Sequence, residues 1–263
     1  MPVVVLFLRG KTNLSDAKTN LCVIIPVYNH PDKLQHLVVF FGEMNLPVIM
    51  VDDGCDTNCR DRLVQLEQEN AHMTLQTHAS NQGKGAAIKT GIKVAQKKGF
   101  THALQIDADG QHDLNDVPRL IEAMIRQPQA LIAGYPQYDE SIPKLRYYGR
   151  YASHVWVWIN TLSMTIKDSM CGFRIYPVEQ SYQLVSHEKI GNHMDYDGEF
   201  IVRWYWSGQP LAQIPTRVIY PEHGVSHFRL FKDNCLISWM HARLFFGMLM
   251  RIPTLLKRKW LTP

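Results

Sequence analysis

No apolar run in the sequence is long enough to cross a bilayer as a helix. The longest stretch without a formal charge, Tyr151 to Ile166, is broken by His154, Asn160 and several hydroxyls, whereas a spanning helix needs about 20 mostly apolar residues. The short apolar run Val3 to Leu8 has no basic region before it and no small-residue cleavage site after it, so a signal peptide is not expected. Cysteine is scarce: Cys22, Cys55, Cys59, Cys171 and Cys235 are odd in number and irregularly spaced. Only Cys55 and Cys59 are near one another, and without a second Cys/His pair a structural zinc is not expected. Free thiols in a reducing compartment suit this usage. An excess of one charge is missing too. With 28 Lys+Arg against 24 Asp+Glu, the formal net charge is +4 and both signs are mixed along the chain, which argues against the clustered basic stripe of a nucleic-acid binder. There is no internal repeat and no low-complexity tract.

What is present is an ordinary globular composition, 46% hydrophobic and 20% charged over 263 residues, enough to bury a large core. Short β-branched runs at Leu21–Val27, Val48–Val51, Met73–Thr77, Ala103–Ile106 and Ala130–Ala133 alternate with segments of helical period. Alternation of this kind predicts a parallel sheet covered by helices. After Gly85, for example, Ile88, Gly91, Ile92 and Ala95 share one helical face, the lysines lie elsewhere, and Gly99 ends the pattern. From about residue 140 the alternation fades. Tyr147, Tyr151, Val155, Trp158 and Leu162 follow helical spacing, a polar break runs from Lys167 to Gly172, and further helices and one apolar strand near Leu211–Ile219 are expected.

In an open parallel sheet, ligands sit beyond the carboxyl ends of the strands. Four successive strand ends carry Pro26-Val-Tyr-Asn29, Asp52-Asp-Gly54, Asn81-Gln-Gly-Lys-Gly85 and Asp107-Ala-Asp-Gly-Gln-His112. Carboxylates two apart on an extended segment point to one side, so Asp107 and Asp109 suit a hard divalent cation, with Gln111 on the same side. An ordinary turn would carry the same pair. A calcium loop is excluded, because His112 and Pro118 stand where Gly and Glu are required. The glycine stretch fits neither a phosphate loop nor a dinucleotide fingerprint. It does allow close backbone approach at a helix start, where free N–H groups and Lys84 suit an anion, and a tight turn is the plainer account. Asp52 and Asp53 suit ribose or base hydrogen bonds, or a turn closed by Gly54.

Together these four motifs resemble those of family 2 glycosyltransferases, and most nearly the dolichol-phosphate mannosyltransferase branch. The resemblance is specific over residues 21 to about 135 and looser through Asp168-Ser-Met-Cys-Gly-Phe-Arg174, Tyr196-Asp-Gly-Glu199 and Gly224-Val-Ser226. It implies an α/β GT-A fold, with a mainly parallel central sheet flanked by helices and a helical C-terminal region, and a nucleotide-sugar donor with Mg²⁺ or Mn²⁺. By position, Pro26, Tyr28, Asn29, Asp52, Asp53, Lys84, Asp107 and Ala108 would meet the donor, and Asp107, Asp109 and Gln111 would hold the metal. Asp168, Asp197 and Glu199 would face the acceptor as candidate catalytic carboxylates. Arg174, Arg217, His227 and Arg229 would bind an acceptor phosphate. Where that branch usually reads Gly-Ser-Arg after the fifth strand, this chain reads Gly134-Tyr-Pro136, and Arg146, Arg150, Arg217 or Arg229 is left to supply the charge.

The expected organisation is an extension at 1–20, a glycosyltransferase domain at 21–230 and an amphipathic helical segment at 231–263. That last segment, rich in Met, Phe, Leu and Trp and closing with Lys257-Arg-Lys259, suits either a packed core or a membrane interface. With a lipid-linked acceptor it implies a cytoplasmic protein held peripherally at the inner face of a membrane. The acceptor is a polyprenyl phosphate or a lipid hydroxyl, and a hydroxyl acceptor needs a carboxylate base. The rival readings are a catalytically silent nucleotide-sugar-binding scaffold and a sugar-phosphate nucleotidyltransferase. The latter opens with a glycine-rich loop after its first strand, which Tyr28-Asn-His-Pro31 lacks.

Overall fold

A computed structural model describes residues 20–31, 33–137, 144–217 and 229–261. Val3–Leu8, His223, Gly224-Val-Ser226 and His227 lie outside the described residues, as do the side chains of Arg146 and Tyr147. In chain order the elements are β1 (Leu21–Val27), α1 (Leu34–Glu43), β2 (Val48–Asp52), α2 (Thr57–Glu69), β3 (Met73–Thr77), α3 (Lys84–Lys97) and β4 (His102–Gln105). A short 3-10 turn (Leu114–Asp116) then leads into α4 (Val117–Arg126), β5 (Leu131–Gln137), α5 (Lys144–Thr161), β6 (Arg174–Pro177) and α6 (Val178–His187). The chain ends with α7 (Tyr196–Ser207), β7 (Leu211–Arg217), α8 (Leu230–Leu249) and α9 (Ile252–Leu261).

The strands form one seven-stranded sheet in the order β3-β2-β1-β4-β6-β5-β7. Strand β6 is antiparallel to both neighbours, and the other pairings are parallel. Alternate residues of β1 feed two cores. Val23, Ile25 and Val27 pack with Leu34 and Phe41 of α1, Leu63 of α2 and Leu120 of α4, while Cys22 and Ile24 share the opposite face with Ile88 and Ile92 of α3, Phe200 of α7 and Leu244 of α8. Burial on both faces is why the strands read as continuous apolar runs. Helix α2 starts at Asp56, whose side chain accepts the Cys59 N–H at 2.9 Å.

The parallel strands lie where the apolar runs predict, although β4 ends one residue earlier and β5 extends to Gln137. Strand β6 was not expected. Its four residues, Arg-Ile-Tyr-Pro, carry no alternating signal, and Arg174 is fully buried. Helix α5 keeps its predicted spacing, and of that stripe Tyr151 and Val155 are exposed and Trp158 and Leu162 half-buried, while Ser153, Val157 and Asn160 are buried and Trp156 and Ile159 are exposed. His241 of α8 meets the inward polar groups, its ring nitrogens 2.9 Å from Ser153 Oγ and 3.3 Å from Asn160 Nδ2, while Asn160 Oδ1 is buried without a hydrogen-bond partner.

The C-terminal segment shares the core of the rest of the chain. Met240, Leu244, Met248 and Leu255 are buried in it, and Arg258 donates to the Tyr205 carbonyl at the end of α7. Helices α8 and α9 meet at a 72° bend, and no single described helix is long and apolar enough to cross a membrane. Phe231, Trp239, Phe246, Met250 and Trp260 nevertheless face outward.

Candidate active site

The carboxyl edge of the sheet gathers β1, β2 and β4 with the start of β6, because β6 runs in the opposite sense and Arg174 pairs with Gln105. The loop at 168–173 is thereby brought beside Asp107, two residues past the end of β4. The centre of the cluster is Lys84, the first residue of α3. Its Nζ lies 2.8 Å from Asp107 Oδ2 and 3.1 Å from Asp197 Oδ2. Burial opposes the charge on Lys84, but the two carboxylates outweigh it and hold the ammonium above the ordinary lysine range. Burial would likewise raise Asp107, and Lys84 and His112 together hold its carboxyl well below the usual range. His112 stacks on Phe173 with 4.9 Å between ring centroids and places Nε2 3.6 Å from Asp107 Oδ2.

Gly172 closes this cluster. A Cβ there would stand 2.7 Å from Gln105 Nε2, 2.8 Å from Lys84 Nζ and 2.9 Å from Asp107 Oδ2, so any side chain at this position would push those groups out of their present places. Gly172 and His112 both fall inside motifs picked out in the sequence, but neither is given a role there. His112 adjoins the Asp-x-Asp motif, which is the one signal that pointed to it.

Among the described residues, no group of three or more His, Cys, Asp or Glu side chains is arranged as a complete metal cage. The donor set does fit an ion shared with a ligand. Asp107 Oδ1 is buried without a hydrogen-bond partner, and Asp109 lies two residues on, its Oδ1 accepting the Gln111 N–H at 3.0 Å. Mg²⁺ and Mn²⁺ are commonly held by one or two carboxylates, with substrate phosphates completing the shell.

Asp52 and Asp53 are both buried and both engaged. Asp52 accepts the Cys55 N–H at 2.7 Å and pairs with Arg60 at 2.9 Å. Asp53 accepts the N–H groups of Gln82 and Gly83 at 2.9 and 2.8 Å and contacts His78 Nδ1 at 2.7 Å. Asp53 therefore ties the turn after β2 to the glycine loop before α3, and Asp52 ties that turn to α2 through Arg60. Asn29, at φ 51, accepts the Asp56 N–H at 2.8 Å. Pro26 and Tyr28 are half-buried beside it, and Ala108 is buried between the two acids of the Asp-x-Asp pair.

The expectation that the start of α3 is an open anion site is corrected. Ala86 N–H donates to the Asn192 carbonyl at 3.0 Å, and a side chain at Gly83 or Gly85 would collide with His193 or Tyr196. The loop at 190–193 occupies that helix end, and Lys84 is spent on two acids.

The three candidate catalytic carboxylates fall in different places. Only Asp197 joins the Lys84 cluster. Asp168 takes a two-pronged pair from Arg150, at 2.7 and 2.8 Å, and the N–H groups of Met170 and Cys171. Burial would raise its carboxyl, and Arg150 and His154 hold it far below the usual range. Glu199 is fully buried and bonded to Arg203, Arg243 and the Gly191 N–H. Arg174 does not face an acceptor. It is fully buried and donates to the carbonyls of Ser169, Cys171 and Asp197, shaping the loop at 168–173. Arg217 and Arg229 are exposed at the end of β7 and just before α8.

The family model described as Glycosyl transferase family 2 matches residues 22–190. The chain is 24% identical to a UDP-N-acetylglucosamine–dolichyl-phosphate N-acetylglucosaminyltransferase of Methanococcus voltae, over 87% of this chain and 94% of that one. Its fold is similar to that of glucosyl-3-phosphoglycerate synthase from Mycobacterium tuberculosis, with a TM-score of 0.61 at 12% identity, covering 89% of this chain and 80% of the other. A mannosyltransferase from Pyrobaculum calidifontis, solved with GDP-Man and Mn²⁺, gives 0.58 at 13% identity over 94% and 70%.

Proposed function

Because the chain belongs to glycosyl transferase family 2 and is a glycosyltransferase of GT-A fold, we propose that it moves a sugar from a nucleoside-diphosphate sugar to a lipid-linked phosphate, inverting the anomeric carbon. The carrying observation is the occupied state of the acids that a hydroxyl acceptor would need as a base. Asp168 and Glu199 have donors on both oxygens, and Asp197 is paired with Lys84. A phosphate acceptor is already anionic and needs no base. The relative from Methanococcus voltae is named for a dolichyl-phosphate acceptor, which agrees with this choice.

In the proposed reaction an acceptor phosphate oxygen bonds to the anomeric carbon as the bond from that carbon to the diphosphate oxygen breaks, and the nucleoside diphosphate leaves with the electron pair. Asp107 and Asp109 hold the divalent cation, which when bound neutralises charge developing on the leaving diphosphate. Asp52 and Asp53 shape the strand-end turns around the base and ribose, with Pro26, Tyr28 and Asn29 beside them. Lys84 keeps Asp107 and Asp197 ionised and in place. Arg217 and Arg229 meet the acceptor phosphate.

Contact with a membrane follows from the outward face of α5 and the C-terminal helices. Among the described residues, and apart from Val39 and Val64, the exposed large hydrophobic residues fall within 151–164 and 231–260. The stretch 231–260 carries Lys232, Arg243, Arg251, Lys257, Arg258 and Lys259 against Asp233 alone, and the exposed Lys232, Lys257 and Lys259 suit an anionic bilayer. The protein then sits peripherally on a cytoplasmic leaflet, where its free thiols and a nucleotide-sugar supply are compatible. Transfer from UDP- and GDP-sugars with Mn²⁺ is measured against polyprenyl phosphate and against the corresponding polyprenol. Glycosylation of the phosphate alone is expected, and transfer to the free alcohol alone would overturn the acceptor class.

A further inference from the structure

A buried ion network lies behind the donor site and belongs to none of the reacting groups. Glu199, in the first turn of α7, is completely enclosed. Its Oε1 accepts Arg203 Nη2 and Nε at 2.7 and 3.0 Å, and its Oε2 accepts Arg243 Nη2 at 3.0 Å and the Gly191 N–H at 2.9 Å. Four donors leave it no capacity to take a proton from an acceptor.

Each partner anchors a different piece of chain. Arg243 comes from α8, and its Nη2 also lies 3.8 Å from Asp195. Gly191 begins the short loop that covers the start of α3. There Asn192 accepts the Ala86 N–H at 3.0 Å, and Lys89 Nζ donates to the Ile190 carbonyl at 2.8 Å. The two glycines flanking Lys84 are needed because His193, Asn192 and Tyr196 press against them. From that seat Lys84 reaches Asp107 and Asp197, and Asp197 is two residues before Glu199 on the same helix.

We propose that Glu199 and Arg243 are positioning residues for the donor site: by clamping the loop at 190–193 between α7 and α8 they seat the start of α3, and so hold Lys84 opposite Asp107. The consequence for turnover rests on Asp107 being part of the donor site, as proposed above, whereas the clamp itself does not. An enclosed, multiply bonded carboxylate has one geometry, so loss of one of its cations frees the segment that it ties.

Arg243→Met in the full chain is the informative variant, because its side chain is partly exposed and Arg203 still pairs with Glu199. Hydrogen exchange needs no ligand. The Gly191 and Ala86 amides are expected to exchange faster in the variant, while the second half of α3 and strand β1 stay as protected as in the native chain. With a nucleotide sugar and Mn²⁺, donor KM should rise roughly fivefold with acceptor KM unchanged, a range typical of coupling through packed neighbours. Arg243→Lys, which keeps one charged donor, should recover most of it. Unchanged exchange at Gly191 and Ala86, or equal acceleration over the whole chain, overturns the clamp. Where the native protein itself binds no nucleotide sugar, the functional reading falls and the exchange result still decides the clamp.

Discussion

Lys84 Nζ lies 2.8 Å from Asp107 Oδ2 and also 3.1 Å from Asp197 Oδ2, so one ammonium joins the strand-end acid to the first turn of α7. These acids are largely buried, and Lys84 sits between them, with His112 Nε2 3.6 Å from Asp107 and the buried Arg174 Nη1 3.8 Å from Asp197 beside them. A divalent ion held at Asp107, as proposed, would bring a further cation to the same carboxylate and would have Lys84 as its neighbour and competitor.

Replacing that cation should therefore reveal the metal site. Lys84→Met removes the cation shared by two partly buried carboxylates, and stability is expected to fall by about 3–5 kcal/mol. Added Mn²⁺ should raise the Tm of the variant more than that of the native protein, since a ligand stabilises in proportion to its affinity for the native state. Equal Tm shifts in the two proteins would count against Asp107 as a metal ligand.

Gly172→Ala tests the close approach of the loop at 168–173. The added methyl would meet Gln105 Nε2, Lys84 Nζ and Asp107 Oδ2, all under 3 Å away. The long lysine side chain can yield, so the fold should survive while the Lys84–Asp107 pair separates. Turnover is expected to drop on the order of a hundredfold, as for small displacements of a catalytic group. A folded variant with native kcat/KM would show that the pair does not matter to transfer.

Asp53→Ala removes the acceptor shared by His78 and the N–H groups of Gln82 and Gly83. Unfolding in urea should show a loss of about 1–3 kcal/mol, and calorimetric titration should show weaker binding of the free nucleoside diphosphate. Native affinity in a destabilised variant would separate the glycine loop from the nucleotide.

Burial pushes the His241 imidazole down to about 4 from its ordinary value of 6.5. The groups facing it are the neutral Ser153 and Asn160 and the Trp156 ring. Because the folded pKa is the lower one, the unfolded chain binds the extra proton first. The contribution is complete above about pH 6.5, declines as the pH falls, and is gone below about 4, amounting to roughly 3 kcal/mol. His241→Gln, which keeps polar atoms for its neighbours, should flatten the fall in stability across that window. A native-like slope in the variant assigns the acid sensitivity to other groups.

Lys257 and Lys259 are exposed, whereas Arg258 is engaged with the Tyr205 carbonyl. Converting the two lysines to Gln should weaken binding to anionic vesicles by about 1 kcal/mol each at low salt, with little change on neutral vesicles. Native protein that stays in the supernatant with anionic liposomes at every salt concentration would remove the membrane from the proposal.

Strands β1 to β4 were legible because each is local. An apolar run bounded by turn residues needs no distant partner to be recognised, whereas the extended geometry expected for Asp107 and Asp109 gives way to a turn at 108 and 109, beyond the end of β4. The GT-A resemblance rested on those same stretches. The apolar stripe of α5 was equally plain, but which way it faced was not, since that depended on His241 arriving from α8.

What the linear order alone determined was the set of chemical groups at the carboxyl edge of the sheet. Tertiary structure decided which of them are already engaged. Asp168 meets Arg150, Glu199 meets Arg243 and Lys84 meets Asp197 only after the chain has folded back across the sheet. A carboxylate is reactive or inert according to the donors around it and its burial. Those donors come from positions 18, 44 and 113 residues away, a separation that no local pattern encodes.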